Sequence, residues 1–279
     1  MDKRINLSIL IITLNEEKNI KHALESIKWA NEIFVVDSFS IDRTLEIAKK
    51  YKNVKIFQHS FENFAKQRNW ALNNLPWHND WIFILDADER ITPELRKEIT
   101  EIILGPQNDI VAYWCARRFI FLNKWIKYAD CYPSWMMKLF LRNKGRFEKA
   151  VNEKMIVDGK TAYLKNDMVH ENLKGIKDWI AKHNRYSTFE TEEIYFKKKS
   201  KLPGRLFGDV MERRKFLKNL FYKLPFRPFL RFFYMYFLKL GFLDGSVGFI
   251  YCVLKAIQEF HINVKLKELK LKQQKDERV

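Results

Sequence analysis

Apolar positions in the first hundred residues follow two alternating rhythms. LSILII (7–12) is a nearly unbroken apolar run that predicts a buried strand, and Ile20, Leu24 and Ile27 then recur at helical spacing. EIFVVD (32–37), VKIFQ (54–58) and WIFIL (81–85) predict three further strands. Between them, RTLEIAKKY (43–51) predicts a short helix and FAKQRNWAL (64–72) a longer one. Thr92-Pro93-Glu94 has the form of an N-cap, a proline at the first helical position and an acidic first turn. This alternation predicts an α/β fold around a parallel sheet with right-handed crossovers. Residues 110–170 are less regular, with strand-like pieces in IVAYWCARRF (110–119) and WMMKLFL (135–141), and from about residue 176 the pattern turns helical.

In parallel sheets, ligands sit beyond the carboxyl ends of the strands. Three polar clusters fall there: Thr13-Leu14-Asn15-Glu16, Asp37-Ser38 and Asp86-Ala87-Asp88. The last has the oxygen chemistry that suits Mg²⁺ or Mn²⁺ bound together with a diphosphate. The plainer alternative is a strand-end turn in which Asp88 or Glu89 caps the next helix. TLNEEKN stands where a dinucleotide-binding strand would carry GxGxxG, which disfavours a dinucleotide oxidoreductase.

Charge adds a partner. The 279 residues carry 51 Lys+Arg against 34 Asp+Glu, a net of +17, which implies nucleic acid, lipid head groups or a phosphorylated substrate. Twelve Lys/Arg lie between residues 197 and 231, opposed only by Asp209 and Glu212. Residues 229–257 are rich in aromatics but broken by Arg231, Lys239, Asp244 and Lys255. Their longest uncharged run, 245–254, is ten residues, against the roughly 20 that a spanning helix needs. These aromatics cluster with apolar neighbours instead of alternating singly with cations. That favours the interface of an anionic membrane over a nucleic-acid surface, with a helical dimer contact as the runner-up. Cys115, Cys131 and Cys252 form no CxxC, which fits a reducing cytoplasm, and the N-terminal apolar run is expected to be a strand and not a signal peptide.

TLNEE (13–17), VVDSFSIDRT (35–44), FAKQRNWAL (64–72) and LDADE (85–89), in this order, resemble the family 2 glycosyltransferases. More narrowly, the chain resembles the lipopolysaccharide core β-1,4-glucosyltransferase group. CYPSWMMKLFLRNKGRFEKAVNEKM (131–155), HENLKGIKDWIAKHNRYS (170–187) and RPFLRFFYMYFLKLGFLDGSVG (227–248) are similar to that group's later blocks. The resemblance implies a GT-A fold, Rossmann-like with a mostly parallel sheet. It places a catalytic domain at 1–175, with 1–100 binding the nucleotide sugar and 101–175 the acceptor. A basic, membrane-associating helical region would occupy 176–279.

The resemblance also implies roles. Thr13, Asn15 and Glu16 would line the nucleotide pocket, Asp37 would accept a hydrogen bond from uracil, and Ser40 and Asp42 would shape its loop. Arg68 would sit near base and diphosphate with help from Lys66, and Asp86 would face ribose and donor sugar. Asp88 and His170 would hold Mg²⁺ or Mn²⁺, with Glu171 a weaker candidate. Many relatives carry two adjacent Asp where this chain has Asp37-Ser38, so uridine selection would rest on Asp37 alone.

Glu153 in VNEKM would act as the base that inverting displacement requires. Asn152 beside it, an acceptor-side residue that cannot titrate, stands where His is expected. Tyr132 and Trp135 could stack on an acceptor sugar or serve simply as core aromatics. A lone His such as His170 and a strand Glu such as Glu153 also have ordinary structural uses, as a satisfied imidazole and a surface ion pair. The expected function is transfer of a hexose, glucose by the resemblance, from UDP-glucose to a lipid-anchored inner-core acceptor. The expected location is peripheral, on the cytoplasmic face of the inner membrane, with no nucleic-acid partner. Rivals are a polyprenyl-phosphate or capsule glycosyltransferase and, from another class, a basic nucleic-acid-binding module.

Overall fold

The computed structural model describes residues 5–106, 109–148, 154–197, 224 and 226–276. The chain divides into two compact units, Met1–Trp125 with Cys131–Lys174, and Ile126–Asp130 with Gly175–Val279.

The first unit is built on a mixed sheet. Strands β1 (Ile5–Thr13), β2 (Ala30–Asp37), β3 (Val54–Gln58) and β4 (Trp81–Asp86) lie parallel in the order β3-β2-β1-β4. Helices α1 (Ile20–Ile27), α2 (Thr44–Ala48) and α3 (Phe64–Asn74) form the crossovers. The near-continuous apolar runs arise because both faces of this sheet are covered. Leu7, Ile9 and Ile11 of β1 join one core with Ile20, Leu24 and Ile27 of α1. Leu10, between them, joins the other core with Phe34, Ile82 and Ala71, as the two-residue period of a strand requires.

β4 ends in a turn at Ala87-Asp88, which leads into the short strand β5 (Glu89–Ile91) and then α4 (Pro93–Leu104). The Thr92 side chain accepts from the Leu95 amide at 3.2 Å, so Thr92 is the cap and neither Asp88 nor Glu89 is needed for it.

The remaining strands are β6 (Ile110–Phe121), β7 (Lys124–Trp125), β8 (Ser134–Leu141), β9 (Gly145–Glu148), β10 (Lys154–Val157), β11 (Lys160–Tyr163) and β12 (Met168–Glu171). They continue the sheet as β4-β8-β6-β12-β5, with β7 and β11 also on β6, while β9 and β10 pair separately. β8 runs antiparallel to both β4 and β6, and β12 antiparallel to β5. The α/β class and the parallel arrangement of β1 to β4 agree with the GT-A expectation.

In the second unit, α5 (Ile176–Lys197) and α6 (Arg227–Phe233) each pack against α7 (Gly245–Asp276). Arg227, 1% exposed, donates to Glu259 and, at 2.7 Å, to Asn263. Buried Asp244 accepts the backbone amides of Lys127 and Tyr128 at 3.2 and 2.9 Å. Among the described residues no single helix is long and apolar enough to cross a membrane.

His183 of α5 stacks on Trp179 at 3.5 Å and donates from Nδ1 to the Trp179 carbonyl at 2.9 Å. Burial, aided by Lys255 and Lys182, pushes its imidazole from 6.5 down to about 4. The folded state therefore binds this proton less readily than the unfolded chain. Its contribution to stability is complete above about pH 6.5 and is lost as pH falls toward 4. The thermal midpoint is expected to fall over that window, and His183→Gln to flatten the fall. Identical pH profiles for the two proteins in thermal denaturation would remove His183 as its source.

Candidate active site

Two loops at the carboxyl end of the sheet are tied together before any ligand arrives. In-register pairing sets Thr13 beside Asp37 and Ile12 beside Asp86. Asn15 then turns the chain with a left-handed φ of 54°, a conformation Asn tolerates. Its amide donates to Ser40 Oγ at 2.8 Å, and its side-chain oxygen accepts the Ile41 amide at 2.9 Å. The Glu16 amide donates to Thr44 Oγ1 at 2.7 Å, and the Glu17 amide to Asp42 at 3.1 Å. Asp37 is wholly buried, and its carboxylate accepts the Ser40 amide at 2.9 Å together with the Ser40 hydroxyl. Burial opposes ionisation of Asp42, but hydrogen bonds from Thr44 and Glu17, with the charge of Lys174, hold its carboxyl below the usual range.

The Thr13 hydroxyl oxygen is buried without a hydrogen-bond partner. Glu16 is held by Lys174 at 2.6 Å and Asn19 at 2.7 Å. Burial raises its carboxyl above the ordinary value against those two partners, and the charge of Asp88 adds to the rise.

The second corner is the turn after β4. Asp86 accepts from Arg68 at 2.7 Å and from Lys138 at 3.4 Å, while its own amide donates to Glu89 at 2.9 Å. Lys138, 2% exposed on β8, lies 2.6 Å from the fully buried Glu89, and Arg117 of β6 approaches the other Glu89 oxygen to 3.7 Å. Burial would raise the Asp86 carboxyl, but Lys138 and Arg68, then His170 and Arg117, hold it far below the carboxylate range. The side chain remains 28% exposed, so an ionised oxygen acceptor faces the sheet edge.

Asp88 meets His170 at 3.1 Å, across 82 residues of sequence, because β12 pairs with β5 so that His170 stands opposite Glu89. His170 Nδ1 is buried without a hydrogen-bond partner. Glu171 is instead paired with Arg90. Among the described residues no cluster of three His, Cys, Asp or Glu could hold a metal alone. A carboxylate beside an imidazole nitrogen nevertheless fits Mg²⁺ or Mn²⁺, which are bound by one or two protein carboxylates with substrate phosphates completing the shell.

Half-exposed Trp135 of β8 stands edge-on to Tyr163 at 4.8 Å and lines a cleft of about 160 Å³ with Arg68, Trp114, Lys138 and Phe147. Tyr132 has an anchoring contact, its hydroxyl donating to the buried Asp167 at 3.0 Å and its ring edge-on to Trp125 at 5.2 Å. Lys66 is exposed and paired with Glu62, not with Asp37 or Asp86. Asn152 and Glu153 lie outside the described residues. A larger hollow of about 640 Å³ beside Trp29 and Arg96 contains none of the site carboxylates.

Glu89, Lys138, Arg117 and Lys174 are the site residues that sequence reasoning missed. The signals for two of them were there to be read: a single lysine inside WMMKLFL, and an arginine pair inside an otherwise apolar strand.

Residues 8–171 match the family described as glycosyl transferase family 2. The chain is 27% identical over 270 residues to the lipopolysaccharide core biosynthesis glycosyltransferase LpsC of Rhizobium meliloti (strain 1021), covering 92% of each chain. It is also 27% identical over 281 residues to an uncharacterized glycosyltransferase of Rickettsia typhi, covering 95% of this chain and 88% of the other. Among solved structures, S. aureus TarS 1–349 in complex with UDP aligns with a TM-score of 0.44 at 16% identity, covering 94% of this chain and 91% of that one.

Proposed function

Because the chain belongs to glycosyltransferase family 2, we propose that it moves a hexose, glucose, from UDP-glucose to a lipid-anchored lipopolysaccharide core oligosaccharide, with inversion at the anomeric carbon. The reaction would run at the cytoplasmic face of the inner membrane. The observation that carries this reading is the shared sheet edge, where Asp86 is held ionised between Arg68 and Lys138 and Asp88 meets His170. The 92% mutual coverage with a relative named for lipopolysaccharide core biosynthesis supports the acceptor class.

The loops knotted through Asn15, Ser40 and Asp37 receive the nucleoside, and ionised Asp86 accepts hydrogen bonds from donor hydroxyls. Asp88 and His170 would hold Mg²⁺ or Mn²⁺, which would supply positive charge at the leaving diphosphate. Trp135 offers a ring face for an acceptor sugar. Glu153 takes the proton of the acceptor hydroxyl as that oxygen bonds to the anomeric carbon and the bond to the diphosphate breaks, so one displacement converts an α donor into a β product.

The test is UDP release from a series of nucleotide sugars with Mg²⁺ or Mn²⁺, with and without defined core oligosaccharide. UDP-glucose is expected to be consumed fastest, and acceptor to accelerate its loss. Glu153→Gln is expected to slow acceptor-dependent transfer by about 10²- to 10⁴-fold with UDP binding unchanged. Near-normal transfer by that variant removes Glu153 as the base. Faster transfer to polyprenyl phosphate than to core oligosaccharide overturns the acceptor.

A further inference from the structure

The second unit exposes an apolar corner that the transfer chemistry does not use. α6 continues through a π-helical turn, Tyr234–Leu238, and the chain then enters a 3₁₀ turn, Gly241–Asp244, and α7. The two arms meet at 74°. Around this bend Phe226, Phe229, Phe233, Phe237, Leu238 and Leu243 are 48 to 73% exposed. Single exposed apolar residues need no explanation, but a contiguous set of this kind marks an interaction surface.

The charges of the bend are not arranged like those of an ordinary solvated surface. Arg227 and Asp244 are turned inward, 1% and 3% exposed, Arg227 donating to Glu259 and Asn263 and Asp244 accepting the Lys127 and Tyr128 amides. Lys239, 42% exposed, is paired with Asp130. Two charged groups that would resist contact with hydrocarbon are thus buried and compensated within the unit, and large apolar side chains occupy the outside.

We propose that this corner inserts into one leaflet of an anionic phospholipid bilayer as a wedge, entering and leaving on the same side. The 74° bend rules out a straight crossing by the two arms together, and no single described helix suffices alone. Charge selects the bilayer over a second copy of the chain. A chain of net charge +17 repels a second copy of itself, whereas anionic head groups attract it. The contact deepens the lipid-anchored acceptor reading by assigning the membrane partner to named side chains, yet it requires no sugar chemistry.

The experiment is co-sedimentation of the full chain with vesicles of phosphatidylcholine, with and without phosphatidylglycerol. It is run alongside the Phe229→Asp/Phe237→Asp double variant and light scattering of both proteins. Both positions are exposed, and an unchanged thermal midpoint confirms the fold. The wild type is expected to bind the anionic vesicles preferentially, and the variant to lose at least about tenfold in partitioning, since two phenyl groups no longer enter the acyl region. Equal binding by a folded variant overturns the proposal. So does a wild-type dimer that the variant converts to monomer without a change in vesicle binding. Vesicle binding without any sugar transfer would count against the enzymatic reading and leave the wedge standing.

Discussion

Asp88→Asn is expected to leave a folded protein whose transfer rate has dropped by about a thousandfold. The expectation comes from what the side chain does and what it does not do. Its carboxylate faces His170 at 3.1 Å, and both side chains are largely buried, at 14% and 16% exposure. The backbone carries a structural tie of its own, because the Asp88 carbonyl accepts the Glu171 amide at 2.9 Å and so links the turn to β12. Asparagine preserves that bond and the side-chain shape while removing the charge a divalent ion requires. Donor hydrolysis without acceptor is expected to fall alongside transfer, because the loss lies on the diphosphate side of the reaction. Calorimetry should show weaker metal-dependent UDP binding. Full activity in a folded Asp88→Asn protein would move the metal role to other residues.

Lys138→Met is expected to be the most destabilising single change in the site, at about 3–5 kcal/mol. Lys138 is the shortest-range cation to Glu89, at 2.6 Å, and it also reaches Asp86 at 3.4 Å. Methionine would fill the space but leave Glu89 buried with Arg117, at 3.7 Å, as the remaining cation among the described residues to oppose its charge. A buried ion pair need not stabilise relative to an apolar pair, yet removing one member leaves an uncompensated charge. Adding Glu89→Gln should therefore restore most of the loss. The neutral amide can still accept the Asp86 amide that Glu89 now accepts at 2.9 Å. Urea denaturation of the two single variants and the double variant measures the coupling as a cycle. Strict additivity would show that Lys138 and Glu89 do not act as a pair.

The first four strands were legible because local pattern and tertiary role coincide there. LSILII, EIFVVD, VKIFQ and WIFIL became β1 to β4 since strands covered on both faces have no polar side to hide. The N-cap read at Thr92 is observed because capping is settled within four residues. The placement of the candidate site was legible where its residues end those strands, as Thr13, Asp37 and Asp86 do.

What could not be read depends on long-range pairing. Glu89 could be taken for the start of a helix because three residues are too few to show a strand period. Only β12, some eighty residues on, makes that segment a strand. Lys138 looked like one more cation in a basic chain, and nothing local shows that it lies beneath Asp86. Lys66 sits in a stretch similar to the family pattern, yet it is satisfied by a neighbour one helical turn away.

The pairing of β12 with β5 also makes strand alignment a chemical variable. Successive side chains of a strand project to opposite faces. Sliding β12 by a single residue would therefore put Val169 or Glu171 opposite Glu89 and turn the imidazole to the other side of the sheet. The strands would remain, but Met168 would leave the core it now fills and Asp88 would have no imidazole nitrogen beside it. Insertions or deletions between residues 157 and 168 are thus a route by which this chain could lose its chemistry while keeping its architecture.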